Sequence, residues 1–520
     1  MSAAKGSWPE TIPHAAAAAA LLWPNAPALI VDGQCWSFSA LWSDARAAAS
    51  AFLAAGIGRG DRIAIWAPNN REWIVAAIGA QAAGAAIVPL NTRFKGREAG
   101  DLLRRSRARL LFTVERFLDT DYGALIASEE LPELAETVFL DTGWESFVER
   151  GGGACDPAVD RALSQLDGDD ICDIIFTSGT TGQPKGVLTA HRQATQIFGD
   201  WAVRVDLRRR DRYLIVNPFF HTFGYKAGWV ACLLRGATIV PMRTFDVAAC
   251  VRHIEQDRIS FLPGPPTIYQ SLLQELAGGK PRDFSSLRVA VTGAAPVAPA
   301  LVERMRRELG MSNIVNGYGM TECGAIAMTR QGDDAHTIAT TCGYPLPGTE
   351  VRCVDDQGRD VAAGETGELW VRSHAVMRGY VDDPQATAEA IDAEGWLRTG
   401  DIGTIDARGY LAVTDRKKDM FISGGFNCYP AEVERLLSAH PAIQAAAVIG
   451  VPDERLGEVG KAYVVLRPGA VSDARELTAW ARVNMANYKV PRHFVFVTEL
   501  PRNAGGKILK TELRALERTA

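Results

Sequence analysis

Ten residues, Thr177-Ser178-Gly179-Thr180-Thr181-Gly182-Gln183-Pro184-Lys185-Gly186, gather four hydroxyls, three glycines and one cation. Glycines let a backbone turn and approach an anion closely, Ser and Thr hydroxyls donate to phosphate oxygens, and Lys185 adds positive charge. The chemistry on offer is polyphosphate binding. Lys185 precedes Gly186 where a Walker A loop has Ser or Thr, and the glycine spacing differs, so a P-loop NTPase is disfavoured. The plain alternative is a surface turn rich in Gly and Thr.

Three further strings carry reactive side chains. Asn316-Gly317-Tyr318-Gly319-Met320-Thr321-Glu322 offers a flat ring for an adenine, permissive glycines, a hydroxyl and a carboxylate able to hold Mg²⁺; alone it could equally be a strand-end turn with an exposed Glu. Trp396-Leu397-Arg398-Thr399-Gly400-Asp401 ends on a carboxylate that could accept hydrogen bonds from both ribose hydroxyls. Pro501-Arg502-Asn503-Ala504-Gly505-Gly506-Lys507 puts a lysine behind paired glycines, where an isolated lysine is normally just solvated.

These side chains need elements to position them. The apolar run 171–176 reads as a buried strand, which puts the hydroxyl-rich loop at a strand end, where α/β proteins bind ligands. Segments 62–66, 72–83 and 86–90 alternate strand and helix patterns, and 213–216, 237–241 and 287–292 repeat the strand pattern, so parallel sheets covered by helices are expected. Over 343–415 the texture shifts to short β-rich pieces at 350–354, 368–372 and 409–414, which predicts a small antiparallel barrel or meander. The charged string Asp415-Arg416-Lys417-Lys418-Asp419 then precedes a compact α+β stretch with elements near 431–438, 445–451, 461–467 and 475–484.

A chain of 520 residues exceeds one ordinary core, and 47% hydrophobic with 22% charged residues is globular composition. The net charge of −5 leaves no basic footprint, so no nucleic-acid partner is expected. Nine scattered cysteines without a CxxC pair point to thiols in a reducing cytoplasm and away from disulfides or a zinc site. The apolar run 15–23 reads as a short helix and 76–90 is too short to cross a bilayer, so a soluble protein without stable membrane association is expected. A homo-oligomer stays open.

Taken together, the loop, the Tyr-Gly-Met-Thr-Glu string, the Thr-Gly-Asp and the Gly-Gly-Lys resemble the signatures of the adenylate-forming enzymes, and the resemblance covers nearly the whole chain. It implies an α/β fold with a large N-terminal domain of helix-covered sheets plus a small β-barrel, residues 1–417, and a mobile smaller C-terminal α+β domain, residues 418–520, hinged at Lys418. It implies ATP, Mg²⁺ and coenzyme A as cofactors or co-substrates, and a small-molecule carboxylic acid as partner. Thr177, Ser178, Gly179, Thr180, Thr181, Gly182 and Lys185 would bind phosphate. Gly293, Ala294, Ala295, Asn316, Gly317, Tyr318 and Gly319 would hold adenine, with Thr321 and Glu322 reaching phosphate and, with Thr181, the metal. Asp401 and Arg416 would bind ribose, Gly424 and Gly425 would line the pantetheine tunnel, and Lys507 would bridge carboxylate and α-phosphate. The need is electrostatic, since an anionic carboxylate must meet an anionic phosphate.

For the acid, the resemblance places His221 as a gate beside the acyl carboxylate, although a His among Phe residues is more often a core residue. Tyr225, Lys226, Gly264, Pro265 and Gly317 join it as substrate candidates; for Lys226 the alternatives are snorkelling to water or pairing with a carboxylate. The strings from Asn217 through Gly228 and from Leu262 through Gln270 are similar to the CoA ligases of bacterial steroid degradation that activate a hydrindane-ring propanoate. Medium-chain or aryl acids are the alternative. Carrier-protein loading and non-catalytic nucleotide binding are the alternatives of another class.

Overall fold

Strand-forming runs of Ile, Val, Leu and Ala bounded by glycine turns build two large sheets. The computed structural model describes residues 8–178, 183–278, 281–293, 297–355, 357–416, 421–428, 430–501, 508 and 510–519. In the seven-stranded sheet, Glu136–Phe139, Leu110–Thr113, Arg62–Trp66, Ala86–Pro89 and Ile171–Ser178 run parallel; Pro184–Ala190 and Gly379–Tyr380 then close the edge antiparallel. The nine-stranded sheet has a parallel centre of Pro27–Val31, Thr238–Pro241, Arg212–Ile215, Phe261–Pro263, Val289–Gly293 and Asn313–Met320. Its edges are antiparallel, with Gly324–Met328 and Tyr344–Pro345 on one side and Gln34–Ser37 on the other.

Small residues let the covering helices pack closely. A Cβ added at Gly79 of helix Arg71–Ala82 would lie 2.7 Å from Ala48 Cβ of helix Phe38–Ala54. One core cluster joins both sheets, with Trp66, Trp73, Phe112, Trp229 and Tyr225 fully buried in it. A second fills the other face of the nine-stranded sheet.

The β-rich stretch is an open meander of four antiparallel strands, Thr349–Val354, Gly367–Ser373, Leu397–Ile405 and Leu411–Arg416. Beyond residue 420, a five-stranded sheet of Phe421–Ser423, Phe426–Cys428, Ile443–Asp453, Gly457–Leu466 and His493–Phe496 carries its own core with helices Pro430–Leu437 and Ala474–Asn484. Among the described residues no helix is long and apolar enough to cross a membrane.

Candidate active site

The expected strand Ile171–Ser178 forms and turns back into Pro184–Ala190, pairing Thr177 with Lys185. The intervening Gly179, Thr180, Thr181 and Gly182 lie outside the described residues, as do Ala294, Ala295, Lys418 and Lys507. Ser178 and Arg416 are described as strand residues.

Strand Asn313–Met320 ends in the turn that carries Thr321 and Glu322, and the fold brings this turn to the phosphate-loop strands. Thr177 Oγ1 stands 3.4 Å from Glu322 Oε1, a long contact, and Tyr380 Oη donates to the same oxygen at 3.1 Å. Lys185 Nζ lies 5.0 Å from the centre of the Tyr380 ring. Tyr380 was not singled out by the motifs, because its partners are 58 residues away at Glu322 and across the sheet edge at Lys185. Oxygen ligands gathered beside a phosphate loop suit a hard cation that also keeps waters and phosphate oxygens, so the donor set fits Mg²⁺.

Tyr318 and Asp401 meet: the phenol donates to Asp401 Oδ2 at 2.6 Å, and Asp401 is 3% exposed. Asp401 is also opposite Arg416 in the meander register, so Tyr318, Asp401 and Arg416 share one corner. Gly293 pairs with Gly317 across the parallel strands, and a Cβ on Gly293 would come within 2.8 Å of Gly317 O. Glycine is required there by the neighbouring backbone alone. Gly319 is exposed in the same strand.

The Asn316 amide donates to Ile338 O at 3.0 Å and Thr341 O at 2.9 Å, so its nitrogen fastens helix Ala335–Thr340 behind the strand that carries Tyr318.

His221 caps the short helix Thr222–Gly224, its Nδ1 accepting from Phe223 N at 3.2 Å. Solvent reaches the residue, yet burial of the ring among protein atoms lowers its pKa and favours the neutral form. The preceding loop is tied to the other sheet by Asn69, which accepts from Phe219 N at 2.8 Å and donates to Asn217 O at 3.0 Å. Phe219, Trp73, Tyr225 and Trp229 pack against one another in T-shaped and tilted contacts as a buried aromatic cluster. Gly264 is buried, and Pro265 caps helix Pro266–Ala277.

Lys226 and Tyr225 correct the reading of the substrate side. Both sit on a π-helical turn, Tyr225–Val230, directed into the core. Lys226 Nζ bonds Asp173 Oδ1 and Thr189 Oγ1, each at 3.0 Å, with side-chain exposures of 2% for the lysine and 0% for the aspartate. Tyr225 Oη accepts from Gln81 Nε2 at 2.7 Å, and burial raises its pKa well above the ordinary phenol. Neither polar tip is left facing a substrate. The missed signal was Asp173 itself, a carboxylate inside an apolar strand that demands a buried partner.

Gly424 and Gly425, with φ of 57° and 82°, form the turn between strands Phe421–Ser423 and Phe426–Cys428. Two successive positive φ values are the requirement of a tight two-residue hairpin.

The AMP-binding enzyme family matches residues 16–381, and the AMP-binding enzyme C-terminal domain matches residues 432–507. The chain belongs to the AMP-binding enzymes, and it is an AMP-forming acyl-CoA ligase. It is 49% identical over 499 residues, 95% of this chain and 96% of the relative, to the Mycobacterium tuberculosis enzyme named 3-[(3aS,4S,7aS)-7a-methyl-1,5-dioxo-octahydro-1H-inden-4-yl]propanoyl:CoA ligase. Among solved structures, a double mutant of the Bacillus subtilis o-succinylbenzoate CoA synthetase bound with its product analogue OSB-NCoA is similar at a TM-score of 0.84 and 30% identity, over 96% of this chain and 98% of that one. The same synthetase in complex with its acyl-adenylate intermediate OSB-AMP scores 0.68 at 30% identity, over 96% and 97%.

Proposed function

We propose that the acid activated by this ligase is a propanoate borne on a hydrindane dione, a bicyclic product of steroid catabolism. The observation that carries this reading is the 49% identity, sustained over 95% of the chain, to a ligase named for that acid.

In the first half-reaction the acid's carboxylate attacks the α-phosphate of ATP and pyrophosphate leaves. Lys185 and Lys507 supply positive charge where negative charge shifts. Tyr318, Asp401 and Arg416 hold the nucleoside, and neutral His221 stands beside the carboxylate without adding charge. Mg²⁺, held by Glu322 with help from Thr181, would neutralise the phosphates. In the second half-reaction the CoA thiol attacks the acyl carbonyl, AMP leaves and the thiol proton is released.

The two half-reactions use two arrangements of the domains 1–417 and 418–520, hinged at Lys418. The higher whole-chain similarity to the product-analogue complex, 0.84 against 0.68 for the adenylate complex, supports the present arrangement as that of CoA transfer. Nine free cysteines suit a reducing compartment, and the cytoplasm is where this reading places the enzyme.

An acid panel tests the proposal through AMP release that requires both acid and CoA. The hydrindane-dione propanoate should exceed medium-chain and aryl acids in kcat/KM by about a hundredfold or more. Equal use of a medium-chain acid would reject it.

A further inference from the structure

Lys489 lies in the C-terminal portion, between strand Gly457–Leu466 and strand His493–Phe496, yet its ammonium reaches across to the N-terminal portion. Nζ is 2.7 Å from Glu432 Oε1, on the C-terminal helix Pro430–Leu437, and 2.8 Å from Glu98 Oε1, on the N-terminal helix Gly96–Ser106. Side-chain exposures are 4% for Lys489, 9% for Glu98 and 5% for Glu432. Burial alone would lower the lysine's pKa, but the two carboxylates outweigh it and leave the ammonium charged.

The contact is part of a patch. Tyr488 Oη accepts from Asn91 Nδ2 at 3.3 Å, and the Tyr488 ring stacks on Phe426 at 4.7 Å. The Arg93 guanidinium lies 4.4 Å from the centre of the Phe426 ring, and Phe426 immediately follows the Gly424-Gly425 turn. The segment 91–98 in turn leaves strand Ala86–Pro89, the neighbour of the phosphate-loop strand Ile171–Ser178. One partner of Lys489 travels with it and the other does not. If the C-terminal portion rotates, Glu432 stays with the lysine while Glu98 is released to water.

We propose that Lys489 is a positioning residue of the CoA half-reaction, whose ion pair with Glu98 latches the Gly424-Gly425 hairpin beside the active site. The inference rests on the reading that the present domain arrangement is the one for CoA transfer. A pair of this kind is worth most where water is excluded, and Glu98 also holds its own helix end, Oε2 accepting from Lys95 N at 2.9 Å. Glu98→Gln keeps an acceptor for that cap and removes the charge, so the helix end is preserved. Glu98→Arg sets two cations against each other.

The two half-reactions are measured separately on the full chain with an acid the parent turns over: acid-dependent ATP–pyrophosphate exchange without CoA, and single-turnover thioester formation from supplied acyl-adenylate. Thioester formation should fall about tenfold in Glu98→Gln and about a hundredfold in Glu98→Arg, the scale of a lost charge-assisted bond and of added repulsion, with exchange within about twofold of the parent in both. The exchange rate reports that the N-terminal site is folded. Thioester formation within about twofold of the parent in both variants, or exchange falling in step with it, would overturn the latch. Loss of exchange with thioester formation spared would overturn the assignment of the arrangement instead, and the latch with it.

Discussion

A lysine ammonium and a carboxylate 3.0 Å apart, both closed off from water, depend on each other for solvation. Lys226 and Asp173 are in that position, with Thr189 and the Cys172 thiol supplying the remaining hydrogen bonds. Removing one charge strands the other. Lys226→Met is therefore expected to cost about 3–5 kcal/mol of stability, and Lys226→Met combined with Asp173→Asn should recover at least half of that loss. Urea denaturation of the parent, the single and the double variant measures it. KM should change alike for keto-acids and plain acids, because the ammonium faces the strand and no substrate. A neutral single variant, or a KM change confined to keto-acids, would reverse this assignment.

At the scale of elements, the helix His191–Arg204 begins at a buried imidazole whose Nδ1 accepts from Ile12 N at 3.3 Å and so ties down the N-terminal helix Ile12–Leu22. Burial lowers the His191 pKa from 6.5 to about 3. Between those values the unfolded chain binds a proton that the folded chain refuses, so stability falls as pH drops below about 6.5, with a slope approaching about 1.4 kcal/mol per pH unit. Urea unfolding at pH 7 and pH 5 should show a smaller pH difference in His191→Gln than in the parent; equal differences would remove His191 as the cause. The elements themselves were legible wherever their cause is local. Strand Arg62–Trp66, the helix after it and strand Ile171–Ser178 follow from periodicity and apolar runs. What could not be read were pairings fixed by the tertiary fold: Tyr380 on Glu322, 58 residues apart, and Lys489 on Glu98, 391 apart. The four short strands of residues 349–416 were legible as β structure, but whether they close depends on pairing, and they run as an open meander.

For the whole molecule, the question is which charges serve which arrangement. Lys185 sits on the N-terminal sheet beside Tyr380, so it stays with that sheet however the C-terminal portion turns. Lys489 and the Gly424-Gly425 hairpin belong to the C-terminal portion and meet segment 91–98 in the present arrangement. Lys507 belongs to that same portion by sequence, and in the proposed reaction it is needed while carboxylate and α-phosphate are brought together. Its removal should therefore act on one half-reaction only. Lys507→Ala is expected to slow adenylate formation about a hundredfold, the loss of about 3 kcal/mol of transition-state stabilisation, and to leave thioester formation from supplied acyl-adenylate within about twofold of the parent. That is the reverse of the pattern expected for Glu98→Gln, so the two variants assayed side by side separate the arrangements without a second structure. Equal damage by Lys507→Ala to both half-reactions would mean that the lysine serves a single arrangement throughout, and the two-arrangement reading would fail.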